Sequence, residues 1–479
     1  MITGKFPLES AAERFSDSPA LISDKQVLSF IDLQNIVDIQ SAYLSDLGIS
    51  GKERVAILSE NTPEYVILVL ALERIGAVAV SVSIRFPEKQ ILSSLKDVNC
   101  SRIFISDMYF QRLNLPGIKK YNINDTLIED SPRKSNNRVF DIESPASVIF
   151  TSGSSGGNKA VIHSFRNHIF SAIGANSNIS FDPGDKWLLT LPLYHIGGFS
   201  IIYRSLIGGG AVVISSDKND MFLQIRKHGI SHLSLVYTQL RRLLEEDVKK
   251  DNLKGLKAIV LGGSSVEYDT IKEAYDSGLP VHTSYGNTEM CSQVTTSPVG
   301  SDPEVLKTSG RLLESREMSF SEENEILLRG NTLCSGYLKN DKVVDIRDTL
   351  GWYHSGDIGY LDEKNCLVVQ GRKDNMFTSG GENIHPEEIE QYILAQPGIL
   401  QAVVVPVEDK EFGYRPAAFI KMQEGILLNE EFLTEILLEN LPRFKIPVRF
   451  LPFPEVNIND SFKPDREALK TLAEKIGEY

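Results

Sequence analysis

Short apolar, β-branched runs return along this chain, separated by stretches long enough for one or more helices. Residues 54–58 (Arg-Val-Ala-Ile-Leu), 77–82 (Ala-Val-Ala-Val-Ser-Val), 102–105 (Arg-Ile-Phe-Ile), 211–214 (Ala-Val-Val-Ile) and 256–261 (Leu-Lys-Ala-Ile-Val-Leu) read as strands. Between the first two, residues 63–75 read as a helix, with Asn61-Thr62-Pro63 as its start and Pro63 near the first helical position. Alternation of this kind predicts an α/β fold of mostly parallel sheets with helices packed on them. Near residues 325–328 short strands and turns take over, which predicts a smaller β-rich piece. After residues 371–374 the pattern resets to a compact tail of helices and strands, so the chain divides into 1–371 and 372–479. Residues 131–138 (Ser-Pro-Arg-Lys-Ser-Asn-Asn-Arg) read as a polar linker between subdomains.

A further apolar run, residues 147–150 (Ser-Val-Ile-Phe), reads as a buried strand and leads into Thr151-Ser152-Gly153-Ser154-Ser155-Gly156-Gly157-Asn158-Lys159. Glycines let backbone N–H groups turn toward an anion, hydroxyls add donors, and a lysine adds a mobile charge suited to phosphate oxygens. The stretch reads as a polyphosphate loop. It is not a Walker A loop, because Asn158 precedes Lys159 and Ala160 follows it. A flexible Gly/Ser surface loop is the alternative.

With 42% hydrophobic and 24% charged residues the composition is that of an ordinary water-soluble protein. A net charge of -14 argues against a nucleic acid or an anionic membrane as the main partner. An acidic protein that binds anions must use local donors, as in the loop above. Four cysteines, Cys100, Cys291, Cys334 and Cys366, show no C-x-x-C spacing and read as free thiols in a reducing compartment. The first residues show no apolar leader, and the most apolar segment, residues 65–82, is interrupted by Glu73 and Arg74. The expectation is a cytoplasmic protein without a membrane partner; a homo-oligomer is compatible with the sequence but not indicated by it.

Four more clusters carry chemistry. His195 lies between an apolar stretch and the pair Gly197-Gly198, where a packing histidine is the plainer reading. Tyr285-Gly286-Asn287-Thr288-Glu289 offers a ring on which adenine can stack and a carboxylate able to hold Mg²⁺, or simply a polar turn. Asp357, closing Trp352-Tyr353-His354-Ser355-Gly356-Asp357, is suited to a ribose diol. Ser461-Phe462-Lys463 sits near the C-terminus, where a solvated charge run is the ordinary explanation.

In this order and at these separations the clusters resemble the adenylate-forming superfamily of acyl-CoA synthetases, peptide adenylation domains and luciferases, from residue 28 to Lys463. The most specific segments are 151–161, 285–289, 353–357 and 371–390, the last containing Gly371-Arg372-Lys373-Asp374 and Gly380-Gly381-Glu382-Asn383. The resemblance implies a large N-terminal domain of parallel-sheet subdomains with a small β-rich subdomain, and a mobile α+β lid. It implies ATP, Mg²⁺ and CoA as co-substrates and cofactor. It places Thr151, Ser152, Gly153, Ser154, Ser155, Gly156 and Lys159 on the phosphates, Tyr285 and Gly286 by the adenine, and Thr288 on the α-phosphate. It places Glu289 on Mg²⁺, Asp357 and Arg372 on the ribose, Asp374 at the hinge and Gly380 and Gly381 at the thioester step. Lys463 becomes the lysine of adenylation. The sequence departs from the family at Ser155, Asn158, Ala160 and Phe462, where Thr, Pro, Gly and Gly are usual; the ring of Phe462 bears on how Lys463 enters the site.

Within the superfamily, residues 191–206 and 232–244 look most like o-succinylbenzoate–CoA ligases of menaquinone synthesis. That subgroup implies an acid site of His195, Arg204, Gln239, Gly262 and Gly263. Arg204 stands among Ile201, Ile202, Tyr203 and Leu206, so an anion should meet it. The second carboxylate of o-succinylbenzoate would serve, and a structural ion pair with an acidic side chain is the alternative. Other readings are a CoA ligase for another aryl acid, transfer to a carrier-protein thiol (no carrier domain follows Tyr479), and an adenylate-binding protein without catalysis.

Overall fold

The computed structural model describes residues 4–126, 140–152, 158–215, 221–245, 253, 255–262, 268–454 and 465–476. Its backbone separates into two compact units. One comprises Met1–Gly263, Ala274–Met318 and Leu328–Tyr353; the other comprises Ser264–Glu273, Ser319–Leu327 and His354–Tyr479. The proposed linker at 131–138 lies outside the described residues.

The first unit is built on two large sheets. In one, strands Val78–Ser81, Arg54–Leu58, Arg102–Ile105 and Lys119–Asn122 run parallel, and Pro145–Ser152 joins them in parallel beside Val78–Ser81. These are the α/β strands expected from the apolar runs. Helix Pro63–Arg74 starts where Asn61-Thr62-Pro63 places it, the Thr62 hydroxyl accepting from Tyr65 N–H. Residues Tyr65 through Glu73 of this helix are all buried, so it runs through the core and not over it. The carboxyl of Glu73 accepts from the Tyr203 hydroxyl at 3.0 Å, and burial pushes it up to about 8. This is how an acid survives inside the most apolar segment of the chain.

The second sheet centres on parallel strands Lys186–Leu188, Ala211–Ile214, His232–Leu235, Ala258–Leu261 and Val281–Asn287. It ends in antiparallel Ser292–Thr296 and Arg311–Leu312. Helices Phe165–Asn178 and Ile196–Gly208 pack on one another. Trp187, Phe181, Phe199 and Tyr203 close the core beneath them.

The second unit carries the β-rich pair Tyr353–Leu361 and Leu367–Arg372, antiparallel. Beyond it, strands Ile399–Asp409, Gly413–Met422 and Phe450–Pro452 form a three-stranded sheet with helices Pro386–Leu394, Glu430–Asn440 and Arg466–Ile476 around it. Buried Glu390 takes Arg466 at 2.6 and 2.8 Å and also accepts Val404 N–H, which fixes the last helix to this sheet. The α+β character of the tail is as expected, and His354–Tyr479 is the longest of the three stretches that make up this unit. All four cysteines are free and buried.

Candidate functional site

The phosphate segment is a hairpin whose arms are strands. Strand Pro145–Ser152 continues through Thr151 and pairs with Asn158–Ser164, Thr151 facing Lys159 and Ser152 facing Asn158. Gly153, Ser154, Ser155 and Gly156 lie outside the described residues. Lys159 Nζ stands 5.0 Å from the ring centroid of Tyr337, a residue on the neighbouring strand Gly336–Lys339. Tyr337 donates its hydroxyl to Glu289 Oε1 at 2.7 Å. Lys159, Tyr337 and Glu289 therefore lie side by side, although 130 positions of sequence separate the first from the last. Burial, reinforced by the Glu289 charge, raises the Tyr337 and Tyr353 phenols far above their ordinary range, so both remain donors. Tyr337 was not legible as a site residue, because it sits in a short strand with no motif around it.

Glu289 belongs to a tight turn after strand Val281–Asn287. The chain returns as Ser292–Thr296 with Asn287 opposite Ser292 and a bulge between Tyr285 and Gly286. Cys291 and Ser292 have φ of 57° and 104°, a region costly for residues with a side chain. Asn287 Oδ1 accepts Met290 N–H at 2.8 Å, and Glu289 O accepts Cys334 N–H at 2.7 Å. Gly286 is required by contact: a Cβ there would lie 2.1 Å from Ser292 O and 2.8 Å from Ser292 C, both backbone atoms. Gly286→Ala is expected to cost about 1–3 kcal/mol and lower Tm by several degrees. An unchanged melting curve would show that the hairpin opens freely at this position.

His195 occupies the N-cap position of helix Ile196–Gly208 and its ring lies against Tyr194, tilted by 58° with centroids 4.8 Å apart. Burial, then the nearby Arg85 charge, brings it down to about 4, so the ring is neutral at physiological pH. Two turns along the same helix, Arg204 is only 4% exposed. Its guanidinium lies over the Trp187 ring, 4.8 Å from the centroid, and Nη2 donates to Gln293 Oε1. Nη1 is buried and has no hydrogen-bond partner among the described residues. Burial and the neighbouring Arg316 push Arg204 down to about 9. Among the described residues Arg204 forms no ion pair with an acidic side chain, the alternative raised for it above; its side-chain hydrogen-bond partner there is the neutral amide of Gln293.

Gln239, on helix Tyr237–Glu245, turns back on the backbone, its Oε1 accepting Val236 N–H at 3.0 Å and its Nε2 donating to Thr190 O at 3.4 Å. Its amide is thus already engaged. Gly262 follows strand Ala258–Leu261, where a Cβ would lie 3.1 Å from Ser284 Oγ. Gly263 is outside the described residues.

In the second unit Asp357 and Arg372 face one another across paired strands. Arg372 Nη1 donates to Asp357 Oδ1 at 3.1 Å and to Ser355 O at 2.9 Å; Nη2 donates to Asp374 Oδ2 at 2.9 Å. Burial works against this charge, but the two aspartates outweigh it and hold the guanidinium above its ordinary value. One arginine thus joins the expected ribose acid to the expected hinge. Gly380 and Gly381, with φ of 57° and 89°, form the turn between strands Phe377–Ser379 and Glu382–Ile384, and Gly380 N–H donates to Phe412 O at 2.9 Å. Lys463 and Phe462 lie outside the described residues.

Comparison with known proteins gives these arrangements a context. The chain is 31% identical over 453 residues to the 2-succinylbenzoate–CoA ligase of Listeria innocua, covering 94% of this chain and 96% of that one. It is 30% identical over 463 residues to the ligase of the same name from Bacillus subtilis, covering 94% of each. The solved o-succinylbenzoate CoA synthetase of Bacillus subtilis with its acyl-adenylate intermediate superposes with a TM-score of 0.88 at 28% identity, over 97% of each chain. The same synthetase with ATP and magnesium ion also gives 0.88 at 28% identity, over 97% of this chain and 99% of that one. A family model described as AMP-binding enzyme matches residues 8–338. This chain belongs to the AMP-binding enzyme family.

Proposed function

We propose that the protein is an ATP-dependent o-succinylbenzoate–CoA ligase, which makes the acyl-adenylate and then the thioester for menaquinone synthesis. The observation that carries the choice of acid is the buried Arg204 guanidinium, with Nη1 unpartnered among the described residues and no carboxylate beside it. A buried cation needs an anion, and a dicarboxylate brings one that remains after its other carboxylate is activated. The relatives named above act on, or are solved with, this acid or its adenylate.

In the first half-reaction a carboxylate oxygen attacks the α-phosphorus of ATP, and the bond to the β-phosphate oxygen breaks to release pyrophosphate. Thr151, Ser152, Ser154, Ser155 and Lys159 take the departing phosphates, with Gly153 and Gly156 giving their backbone access. Thr288 donates to the α-phosphate. Tyr285 and Gly286 flank the adenine, and Asp357 and Arg372 meet the ribose. The nearly buried carboxylate of Glu289, steadied by Tyr337, is the hard oxygen donor that Mg²⁺ prefers. When bound, Mg²⁺ neutralises charge on the phosphates. Neutral His195 lines the acid site with Arg204, Gln239, Gly262 and Gly263 without adding a competing cation. Lys463 meets the charge that builds as two anions close. In the second half-reaction the CoA thiol attacks the acyl carbonyl and AMP leaves. The lid, residues 372–479, turns about Asp374 so that Gly380 and Gly381 replace Lys463 at the site.

Four free thiols suit a reducing cytoplasm, and no helix among the described residues is long and apolar enough to cross a membrane. CoA-dependent AMP formation should be found with o-succinylbenzoate and be far slower with benzoate and 4-coumarate. Faster turnover of either monocarboxylate would reassign the acid, and no pyrophosphate release with any acid would remove the ligase reading.

A further inference from the structure

We infer that His163 is a positioning residue for adenylate formation, holding the Thr288–Glu289 turn in the form in which it meets the phosphates of ATP. The inference rests on the ligase reading above. Side chains alternate across a strand, so Lys159, Val161 and His163 of strand Asn158–Ser164 share one face. Tyr337 lies opposite Val161 in the antiparallel register and shares that face. From this single face three contacts reach the phosphate machinery. Lys159 covers the Tyr337 ring, Tyr337 bonds the Glu289 carboxylate, and His163 Nε2 bonds the Thr288 carbonyl at 2.7 Å.

A carbonyl only accepts, so Nε2 carries the proton and His163 is the donor. Its Nδ1 is buried with no partner among the described residues, which leaves the ring one bond to make. The residue is wholly buried, and burial lowers it to about 4, so the neutral tautomer persists. The turn it grips needs restraint, because Cys291 and Ser292 both hold positive φ. Other bonds secure its far side: Ser171 Oγ donates to Cys291 O at 2.5 Å, and Cys334 N–H donates to Glu289 O. Apart from His163, Thr288 O receives only the turn's own Cys291 N–H at 3.0 Å among the described residues. Without His163 the peptide between Thr288 and Glu289 can tilt, moving the hydroxyl and the carboxylate together.

The test compares His163→Leu, which removes the donor, with His163→Gln, whose amide nitrogen can reach the place of Nε2. Acid-dependent ATP–pyrophosphate exchange is measured across a Mg²⁺ titration, beside conversion of supplied o-succinylbenzoyl-adenylate to thioester. Leucine should lower exchange about 10- to 30-fold and raise the Mg²⁺ needed for half-maximal rate, while thioester formation changes no more than about 3-fold. Glutamine should restore most of the exchange. Equal loss in both half-reactions, or a lowered Tm with unaltered exchange and Mg²⁺ dependence, would make His163 a packing residue. Should the leucine variant fail to fold, His163→Asn, a methylene too short, replaces it; exchange as fast in Asn as in Gln overturns the inference. A wild-type protein that exchanges pyrophosphate with no acid defeats the ligase reading instead, before any variant is compared.

Discussion

Lys463→Ala is expected to slow adenylate formation about 10²- to 10³-fold, the scale seen when one donor to a developing charge is removed. Transfer of a supplied acyl-adenylate to CoA should change little. The asymmetry follows from where charge accumulates. In the first half-reaction a carboxylate approaches a polyphosphate, and the repulsion peaks as the new bond forms. In the second a neutral carbonyl meets a thiol, and an amine at the α-phosphorus has less to offset. Stopped-flow measurement of the two half-reactions separates the cases. Equal losses would assign Lys463 to the fold of the lid instead of to chemistry. Phe462→Gly, restoring the residue usual in the family, should leave the ratio of the two rates unaltered if the ring is merely accommodated.

Arg204→Ala is the second large effect. A charge-assisted, forked contact in a dry pocket is worth about 2–4 kcal/mol, so kcat/KM for o-succinylbenzoate should fall roughly 30- to 900-fold. The KM for ATP should hardly move, and benzoate should suffer far less than the dicarboxylate. The buried setting gives a further expectation. Arg204 has a neutral partner, Gln293, and an aromatic one, Trp187, but no carboxylate among the described residues. Removing a buried cation that lacks a protein counter-ion strands no opposite charge, so the usual penalty for breaking a buried ion pair does not apply. Thermal unfolding should therefore shift less than the activity loss suggests. A variant that keeps its preference for the dicarboxylate would take away the residue-level support for this acid.

What could be read from sequence alone was mostly what is local. Residues 54–58, 102–105 and 211–214 form strands at those very bounds, and the Thr62-Pro63 start of the helix is written in adjacent side chains. The nature of the 151–159 segment was half visible. Its glycines and hydroxyls announce a loop, yet they obscure the strand pairing of Thr151 with Lys159, which depends on backbone hydrogen bonds that any residue can make. Partners distant in sequence could not be inferred. Nothing near Arg204 names Gln293, and nothing near Glu289 names Tyr337, because one pairing joins a helix to a strand and the other a turn to a strand, and these meet only in three dimensions. Gln239 pairs both locally and at a distance: its amide oxygen accepts Val236 N–H at its own helix start, while its nitrogen donates to Thr190 O, which nothing in the nearby sequence names.

The placement of the four thiols has a practical consequence. Cys100, Cys291 and Cys334 lie in the first unit and Cys366 in the second, and every one is shut away from solvent. Burial drives the first three thiols up, which disfavours the thiolates that react with alkylating reagents. Labelling can then proceed only through opening, so the rate at each cysteine counts the opening of its own surroundings. The chain thus carries native reporters in both units. Trapping at Cys291 and Cys334, which flank the Glu289 turn, would register whether bound nucleotide clamps that turn shut, with no dye or tag attached.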